Sequence, residues 1–556
     1  MDAKSIQEAY LLESPIQKLN YDCLIQIFNH LTVVDRIRIE RVSKQWQEIA
    51  KKSWNGVKIL KKPTSLGFKS GMLPKVNDYM LEEILKRCGK YLTNAYFEYH
   101  FKLSLIVNYC PNIQSILCVG ASKENLEILS RNAQNLSTFS FRQNPDHHED
   151  YEDSLANLFS KSKNLKDLSL QCDRMKGYCL LELPLEEMTT IVIVFFNEEL
   201  NMFEENLVNA LKKTAKLNTL CIRDIINVGI IAAIASSRCT NLTKLDLISW
   251  NNRLENVDKQ LAKIFHCNRN LKFIYLRLNY SDMTGECLLS LNKSSVEEIK
   301  LFGSSFPDFQ VVFLIKSLPT FKNLHYLKLS GLRNQSMRES EISKCIRSCL
   351  NLKTLELSEV GNNHDSPEIL IKSISELKNL ESLSLGQILS TNFCDYISAN
   401  LLKLKVLTLK CCRNLSDIDL ELLHELPNLE VLDICFNSNI TGLGIRRLSN
   451  LKKLSCFYCK NLEDEGLIKL LKCVTNLEYL DLRKCDKITN AVIDAAIDVT
   501  KVRTNNIELR MAITGTSINI NKIQGASSLL VFDENMPLLM YDEIISSLIV
   551  DENVPF

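Results

Sequence analysis

The stretch Asn476-Leu477-Glu478-Tyr479-Leu480-Asp481-Leu482, followed by Cys485 and Ile488, gives the key to most of this 556-residue chain. Written by spacing it is Leu-x-x-Leu-x-Leu-x-x-Cys/Asn-x-x-Ile/Leu. Good copies begin at Leu429, Leu404, Leu380, Leu352, Leu324, Leu242 and Leu165. Looser copies begin at Leu451, Val296, Leu271, Leu217, Met188, Leu136, Ile113 and Leu92. Successive starts lie roughly 21 to 29 residues apart. Within one copy, Leu480-Asp481-Leu482 alternates apolar and polar residues, as a half-buried strand does. The preceding Asp464 to Cys473 reads as a helix with Leu467, Leu470 and Leu471 on one side. One such unit cannot bury its own apolar face, whereas stacked units bury a continuous core and align their strands in a parallel sheet.

This period and internal spacing resemble the leucine-rich repeats. The resemblance implies an α/β fold: a curved solenoid with a parallel sheet on the concave side and helices on the convex side. Residues 77–513 would supply roughly sixteen or seventeen repeats. The last third is similar to the cysteine-containing subclass, with Cys412, Cys459 and Cys485 at the turn and Asn437 in the same place. A small group able to meet the backbone suits that buried turn. The middle, Met188 to Phe321, is less regular. Leu509, Met511 and Ile513 read as a last edge strand. Residues 514–556 mix apolar and acidic groups and are too apolar for a plain solvated tail. They either cap the open end of the core or fold back onto the concave face.

Ahead of the repeats, after a leader at 1–14, the residues from Leu19 to Trp46 carry two apolar stripes. Leu24, Ile27, Phe28 and Leu31 form one, and Ile39, Val42, Trp46 and Ile49 the other, so two short helices are expected, with Asn20 and Asp35 as their N-caps. Some forty residues of this kind need a partner or a docking surface. The stretch resembles the F-box, whose pattern is matched by Leu19, Asp22, Leu24, Ile27, Phe28, Leu31, Asp35, Val42, Lys44 and Trp46. Asn20 replaces the usual proline and Ser43 the usual cysteine. The expected domain is 15–50, joined by a linker at 51–76 that packs it on the solenoid.

The resemblance implies the substrate receptor of an SCF-type ubiquitin ligase. Leu19, Leu24, Ile27, Phe28, Leu31, Val42 and Trp46 would dock on the Skp adaptor and through it a cullin-RING ligase. The repeats would hold a protein substrate. Two rivals are a repeat scaffold or inhibitor acting without a cullin, and a small-molecule sensor gated by the tail.

Composition narrows the classes. Hydrophobic residues are 46% and charged residues 24% of the chain, enough for a large core. A net charge of +1 argues against a nucleic-acid or anionic-membrane partner. No run of eighteen apolar residues spans a membrane, and no signal segment is seen at Met1 to Leu19. The twenty cysteines therefore read as reduced thiols in the cytoplasm or nucleus.

No enzyme motif is present, and no cofactor or metal is expected. Cys456-x-x-Cys459 falls on core positions of the repeat, and His147-His148 in an acidic insertion reads as a solvated loop. The residues between inward leucines give the candidate substrate face: Tyr275, Arg277, Lys300, Phe302, Tyr326, Lys328, Thr354 and Glu356 in one run. Asp433, Phe457, Tyr458, Tyr479, Asp481 and Arg483 form a second, with Trp250 flanking the first. Aromatic residues beside arginine are the usual material of protein interfaces.

Overall fold

The computed structural model describes residues 16, 19–60, 78–98, 102–144, 149–172, 175–195, 201–249, 254–278, 281–302, 309–331, 339–359, 368–386, 393–412, 414–445, 447–523, 525 and 527–532. Trp250, His147-His148 and the leader at 1–14 lie outside them. The chain divides into two compact units, one reaching Lys216 and the other beginning at Leu217.

The first unit opens with α1 (Tyr21–Asn29), α2 (Val33–Ile39) and α3 (Lys44–Ser53). Asn20 caps α1 as expected, its Oδ1 accepting from the Cys23 N–H at 2.8 Å. The second expected helix is in fact two. Thr32, not Asp35, caps α2, its hydroxyl accepting from the Asp35 N–H at 3.2 Å. Ser43 caps α3, accepting from the Trp46 N–H at 3.1 Å. A Ser/Thr cap competes with helix continuation, so the stripe from Ile39 to Ile49 is interrupted at 40–43.

Strands β1 (Ile59–Leu60), β2 (Asn94–Glu98), β3 (Ser115–Val119), β4 (Thr138–Arg142), β5 (Asp167–Cys172) and β6 (Thr190–Phe195) come next as consecutive parallel neighbours. The expected linker at 51–76 is thus partly structural: Ile59 and Leu60 pair with Asn94 and Ala95 and begin the sheet.

The second unit repeats the scheme with β7 (Thr219–Arg223), β8 (Lys244–Ser249), β9 (Phe273–Leu278), β10 (Glu298–Phe302), β11 (Tyr326–Ser330), β12 (Thr354–Ser358) and β13 (Ser382–Gly386). It continues with β14 (Val406–Lys410), β15 (Val431–Asp433), β16 (Lys453–Ser455), β17 (Tyr479–Asp481), β18 (Leu509–Ala512) and β19 (Leu530–Phe532). Each strand pairs in parallel with the next, leucine beside leucine, as in Leu355–Leu383–Leu407–Leu432–Leu454–Leu480. These leucines are buried against the returning helices, for example Leu467, Leu470 and Leu471 of Asp464–Cys473. The edge strand is β19, not the expected Leu509 to Ile513, because Leu509 to Met511 pair with Leu530 to Phe532. Residues 533–556 lie outside the described residues.

Two devices stitch adjacent repeats. An asparagine just before the first leucine donates to a carbonyl one repeat earlier, as Asn323 to Ser294, Asn351 to Lys322 and Asn428 to Leu402 at 2.6, 2.9 and 2.8 Å. A carboxylate then caps the turn of the following repeat. Buried Glu152 accepts from the N–H groups of Lys176, Gly177 and Cys179 at 2.8, 3.1 and 2.7 Å. Gly177 is left-handed (φ 78°), and a Cβ there would meet the Phe203 ring at 2.8 Å. Such bonds satisfy backbone groups that a stack of short elements would otherwise orphan.

Candidate functional site

In the helical module the apolar stripe splits between inside and outside. Leu24 and Phe28 of α1 pack with Ile49 and Ala50 of α3 into one buried cluster. The Trp46 ring lies against Phe28, centroids 5.2 Å apart. Leu24 and Phe28 were expected on the docking face; they belong instead to the core, because three short helices hold together only by burying their largest shared side chains. Leu31 and Trp46 are half-buried against that cluster. Leu19, Ile27 and Val42 remain outside, at 38%, 40% and 61% exposure. These are the expected docking residues that still offer apolar surface.

The module is also fixed to the first repeats. Arg36 is buried, its guanidinium donating to the carbonyls of Leu31, Ser53 and Asn29 at 3.1, 2.5 and 2.6 Å. That bridge ties α2 to the ends of α1 and α3. The buried Trp54 indole donates to Glu40 at 2.8 Å, and the other Glu40 oxygen meets Arg87 at 3.0 Å. Arg87 lies on the helix Asp78–Cys88, so the pair joins the module to the repeats. Sequence reading passed over Arg36, since a lone Arg outside the apolar stripes carries no periodic signal, whereas Trp54 lies in the 51–76 stretch expected to pack the module on the solenoid.

On the repeats, the helix-free face of β8 to β12 brings together most of the first expected run. Tyr275, Lys300, Lys328 and Glu356 stand side by side across four strands. Lys300 Nζ sits over the Tyr275 and Tyr326 rings, 4.6 and 4.4 Å from their centroids. Arg277 lies over Phe302 at 5.6 Å and Lys328 Nζ over the same ring at 5.0 Å. Lys328, expected to contact a substrate, is buried and ion-paired with Glu356 at 2.9 Å; its charge is already engaged within the sheet. The Tyr275 hydroxyl donates to Glu298 at 2.7 Å, and that of Tyr326 to Glu356. At the edge of this face Arg223 holds buried Asp246 at 2.6 Å. Beside it, burial raises the Asp224 carboxyl to about 6 against the pull of Arg223 and Arg277.

The second run is closer to the sheet end. Asp481 is fully buried, accepting from the Arg483 N–H, Nε and Nη2 at 3.0, 2.9 and 2.6 Å, so it orients Arg483 rather than facing a ligand. Arg483 lies over Phe457 at 5.7 Å. Tyr479 is half-buried, and burial raises its phenol pKa. Phe436 and Tyr458 are 41% and 43% exposed, with centroids 5.6 Å apart, and Phe436 meets Phe457 at 5.1 Å. Both exposed rings sit at positive φ, 61° and 59°, just past their strands. Phe436 was missed; its position, one repeat before Tyr458, was the available signal.

The cysteine positions are structural. Asn437 Oδ1 accepts from the Cys412 N–H at 2.7 Å while its Nδ2 donates to Leu409 and Ile434 at 2.7 and 2.8 Å. Cys459 and Cys485 donate to the carbonyls of Ile434 and Cys456 at 3.1 and 3.0 Å. Burial pushes the Cys459 thiol up to about 12. All twenty cysteines are free thiols. Among the described residues no three His, Cys, Asp or Glu side chains gather as a metal site, and no helix is long and apolar enough to cross a membrane.

Residues 16–58 match the F-box domain. The chain therefore carries an F-box ahead of repeats with leucine-rich spacing. The F-box thus covers α1 to α3 and ends at the start of β1. No curated protein matches the sequence. Among solved structures, an internalin from Listeria monocytogenes is 14% identical, with a TM-score of 0.34 over 74% of this chain and 89% of that one. A TLR13–ssRNA13 complex is 14% identical, with a TM-score of 0.44 over 81% and 61%. The yeast Rad7 and Elc1 complex is 13% identical, with a TM-score of 0.31 over 89% and 96%.

Proposed function

We propose that this F-box protein is a non-catalytic substrate receptor of an SCF-type ubiquitin ligase. The observation that carries the reading is the F-box match over α1 to α3 together with the apolar residues that module leaves outside. Leu19, Ile27 and Val42, flanked by half-buried Leu31 and Trp46, supply the surface for a Skp-type adaptor. Leu24 and Phe28 support that surface from beneath. The repeat face, with Tyr275, Arg277, Phe302, Tyr326, Phe457, Tyr479 and Arg483, receives a protein substrate. Catalysis then comes from proximity to the charged partner enzyme, with no acid-base work by this chain.

The test is affinity purification from cells of wild type and an Ile27→Asp, Val42→Asp variant. Wild type is expected to bring down the adaptor and a cullin, and the variant neither. An adaptor recovered without cullin would favour the scaffold or inhibitor reading. Recovery of neither with wild type would make the F-box a structural end piece of the repeats.

A further inference from the structure

The F-box module leaves one serine exposed among its docking residues. Residues 19–60 hold Thr32, Ser43 and Ser53. Ser53 is buried and donates to the Ala50 carbonyl at 2.8 Å. Thr32 donates to the Asp35 carboxylate at 2.8 Å, so an acid already stands beside it. Ser43 is exposed, as are Arg41, Val42, Lys44 and Gln45 around it. Its backbone is extended, with φ −161° and ψ 165°. It follows the turn in which the Arg41 and Val42 N–H groups donate to Arg38 and Ile39, each at 3.1 Å. The F-box pattern has cysteine here, so this chain offers a hydroxyl in place of a thiol.

Ser43 is tied to the docking residues on both sides. Val42, its chain neighbour, is 61% exposed. The Trp46 N–H donates to its Oγ at 3.1 Å, and the half-buried Trp46 ring rests on Phe28. The charges nearby are mostly basic or engaged. Arg41 lies two residues before Ser43 and Lys44 one after. Glu40 is turned to Trp54 and Arg87, and Arg38 pairs with Asp35 at 2.9 Å. The next acid in the chain, Glu48, comes five residues after Ser43. Arg38-x-x-Arg41-x-Ser43 thus sets two guanidinium groups upstream of an exposed hydroxyl. A kinase that holds basic residues through its own carboxylates reads such a pattern.

We propose that Ser43 is a phosphorylation site and that its phosphate excludes the Skp-type adaptor from the F-box; the exclusion rests on the receptor reading. In the step, Ser43 Oγ attacks the γ-phosphorus of ATP. The Oγ–P bond forms, the bond from that phosphorus to the β–γ bridging oxygen breaks, ADP leaves, and the hydroxyl proton passes through the kinase to solvent. The product carries about two negative charges at neutral pH. In the free module that charge stays hydrated beside Arg41 and Lys44, so the fold keeps it. Under an adaptor it would be pressed between Val42 and Trp46 and lose its water against apolar surface. The adaptor in turn covers the hydroxyl, so each excludes the other.

The experiment has two arms, both on the full chain. In the first, the chain is recovered from cells in adaptor-bound and adaptor-free pools and its phosphates are mapped by mass spectrometry. Phosphate on Ser43 is expected in the free pool and absent from the bound one. Phosphate on Ser43 in neither pool, or equally in both, would overturn the proposal. In the second, calorimetric titration with purified adaptor compares wild type, the chain with phosphoserine installed at position 43, Ser43→Asp and Ser43→Asn. Asp and Asn both cap a helix, so that pair differs in charge and not in the cap. The phosphorylated chain is expected to bind ~100-fold more weakly than wild type, Ser43→Asp about tenfold and Ser43→Asn no more than about threefold, all melting together. Wild-type affinity in the phosphorylated chain, or equal losses in Ser43→Asp and Ser43→Asn, would overturn the exclusion. Should the phosphorylated chain melt early, the Asp and Asn pair decides. A wild-type chain that binds no adaptor overturns the receptor reading and the exclusion together. Wild-type binding that survives phosphorylation overturns the exclusion alone, so the two failures are distinct.

Discussion

Helices α1 to α3 bury Leu24, Phe28, Ile49 and Ala50 and leave Leu19, Ile27 and Val42 outside. Strands β9 to β12 do the reverse with charge. Lys328 is buried against Glu356, the tyrosine hydroxyls bond to glutamates, and Arg277 and Lys300 rest on aromatic rings. In the F-box, the apolar side chains divide between holding the module and docking it. On the repeat face, some side chains that look like ligand contacts, Lys328 above all, are already paired across neighbouring strands. The lesson is that a helical stripe four residues long cannot tell an anchor from a core residue, and that a row of exposed positions cannot tell a free charge from a paired one.

Substitutions that strike the core should separate the two regions most sharply. Phe28→Ala is expected to cost about 3–5 kcal/mol by opening a cavity in a very small core. Because repeat contacts are local, hydrogen exchange should rise through 21–53 and stay unchanged beyond Leu217. Uniform loss of protection would show that the F-box and the distant repeats fold as one unit.

Asn437→Ala should cost about 2–4 kcal/mol, since it leaves the buried Cys412 N–H without its acceptor and takes a donor from the Leu409 and Ile434 carbonyls. Urea unfolding should report the loss, with exchange rising around 409–437. A change under about 0.5 kcal/mol would mean water replaces the amide fully.

Asp224 offers a smaller, pH-dependent effect. Its folded pKa is raised from 3.8 to about 6 by burial, so the folded state binds the proton more tightly than the unfolded state. Stability should therefore fall as pH rises from about 4 to 6 and level off above, by on the order of 1–2 kcal/mol after allowing for partial exposure. Asp224→Asn, tolerated at its positive φ, should flatten that slope in urea titrations. A slope unchanged in the variant would assign it to another group.

Ile27→Asp and Val42→Asp should change folding stability least, within about 0.5 kcal/mol, because both side chains are exposed. Matched thermal melts check this. A large loss would place these residues in the core and erase the distinction between holding the module and docking it.

The sequence made the repeat scheme plain because its signal recurs. Leucine spacing placed β14 to β17 where they lie, and the turn cysteines proved buried as their register implied. Single-copy features escaped it. The Arg36 and Glu40–Arg87 bridges join residues distant in sequence, and β19 has no leucine pattern of its own. The interruption at 40–43 turned on one serine acting as a cap rather than as a helical residue. The candidate substrate face was located by register, but the partners of Lys328 and Asp481 depend on which strand stands beside which.

The most direct measurement is calorimetric titration of the full chain with a purified Skp-type adaptor, wild type against Ile27→Asp, Val42→Asp. The account predicts binding by wild type and a loss of about 2–4 kcal/mol in the variant, with both proteins melting together. Equal affinity in the two, or no binding by wild type, would contradict it.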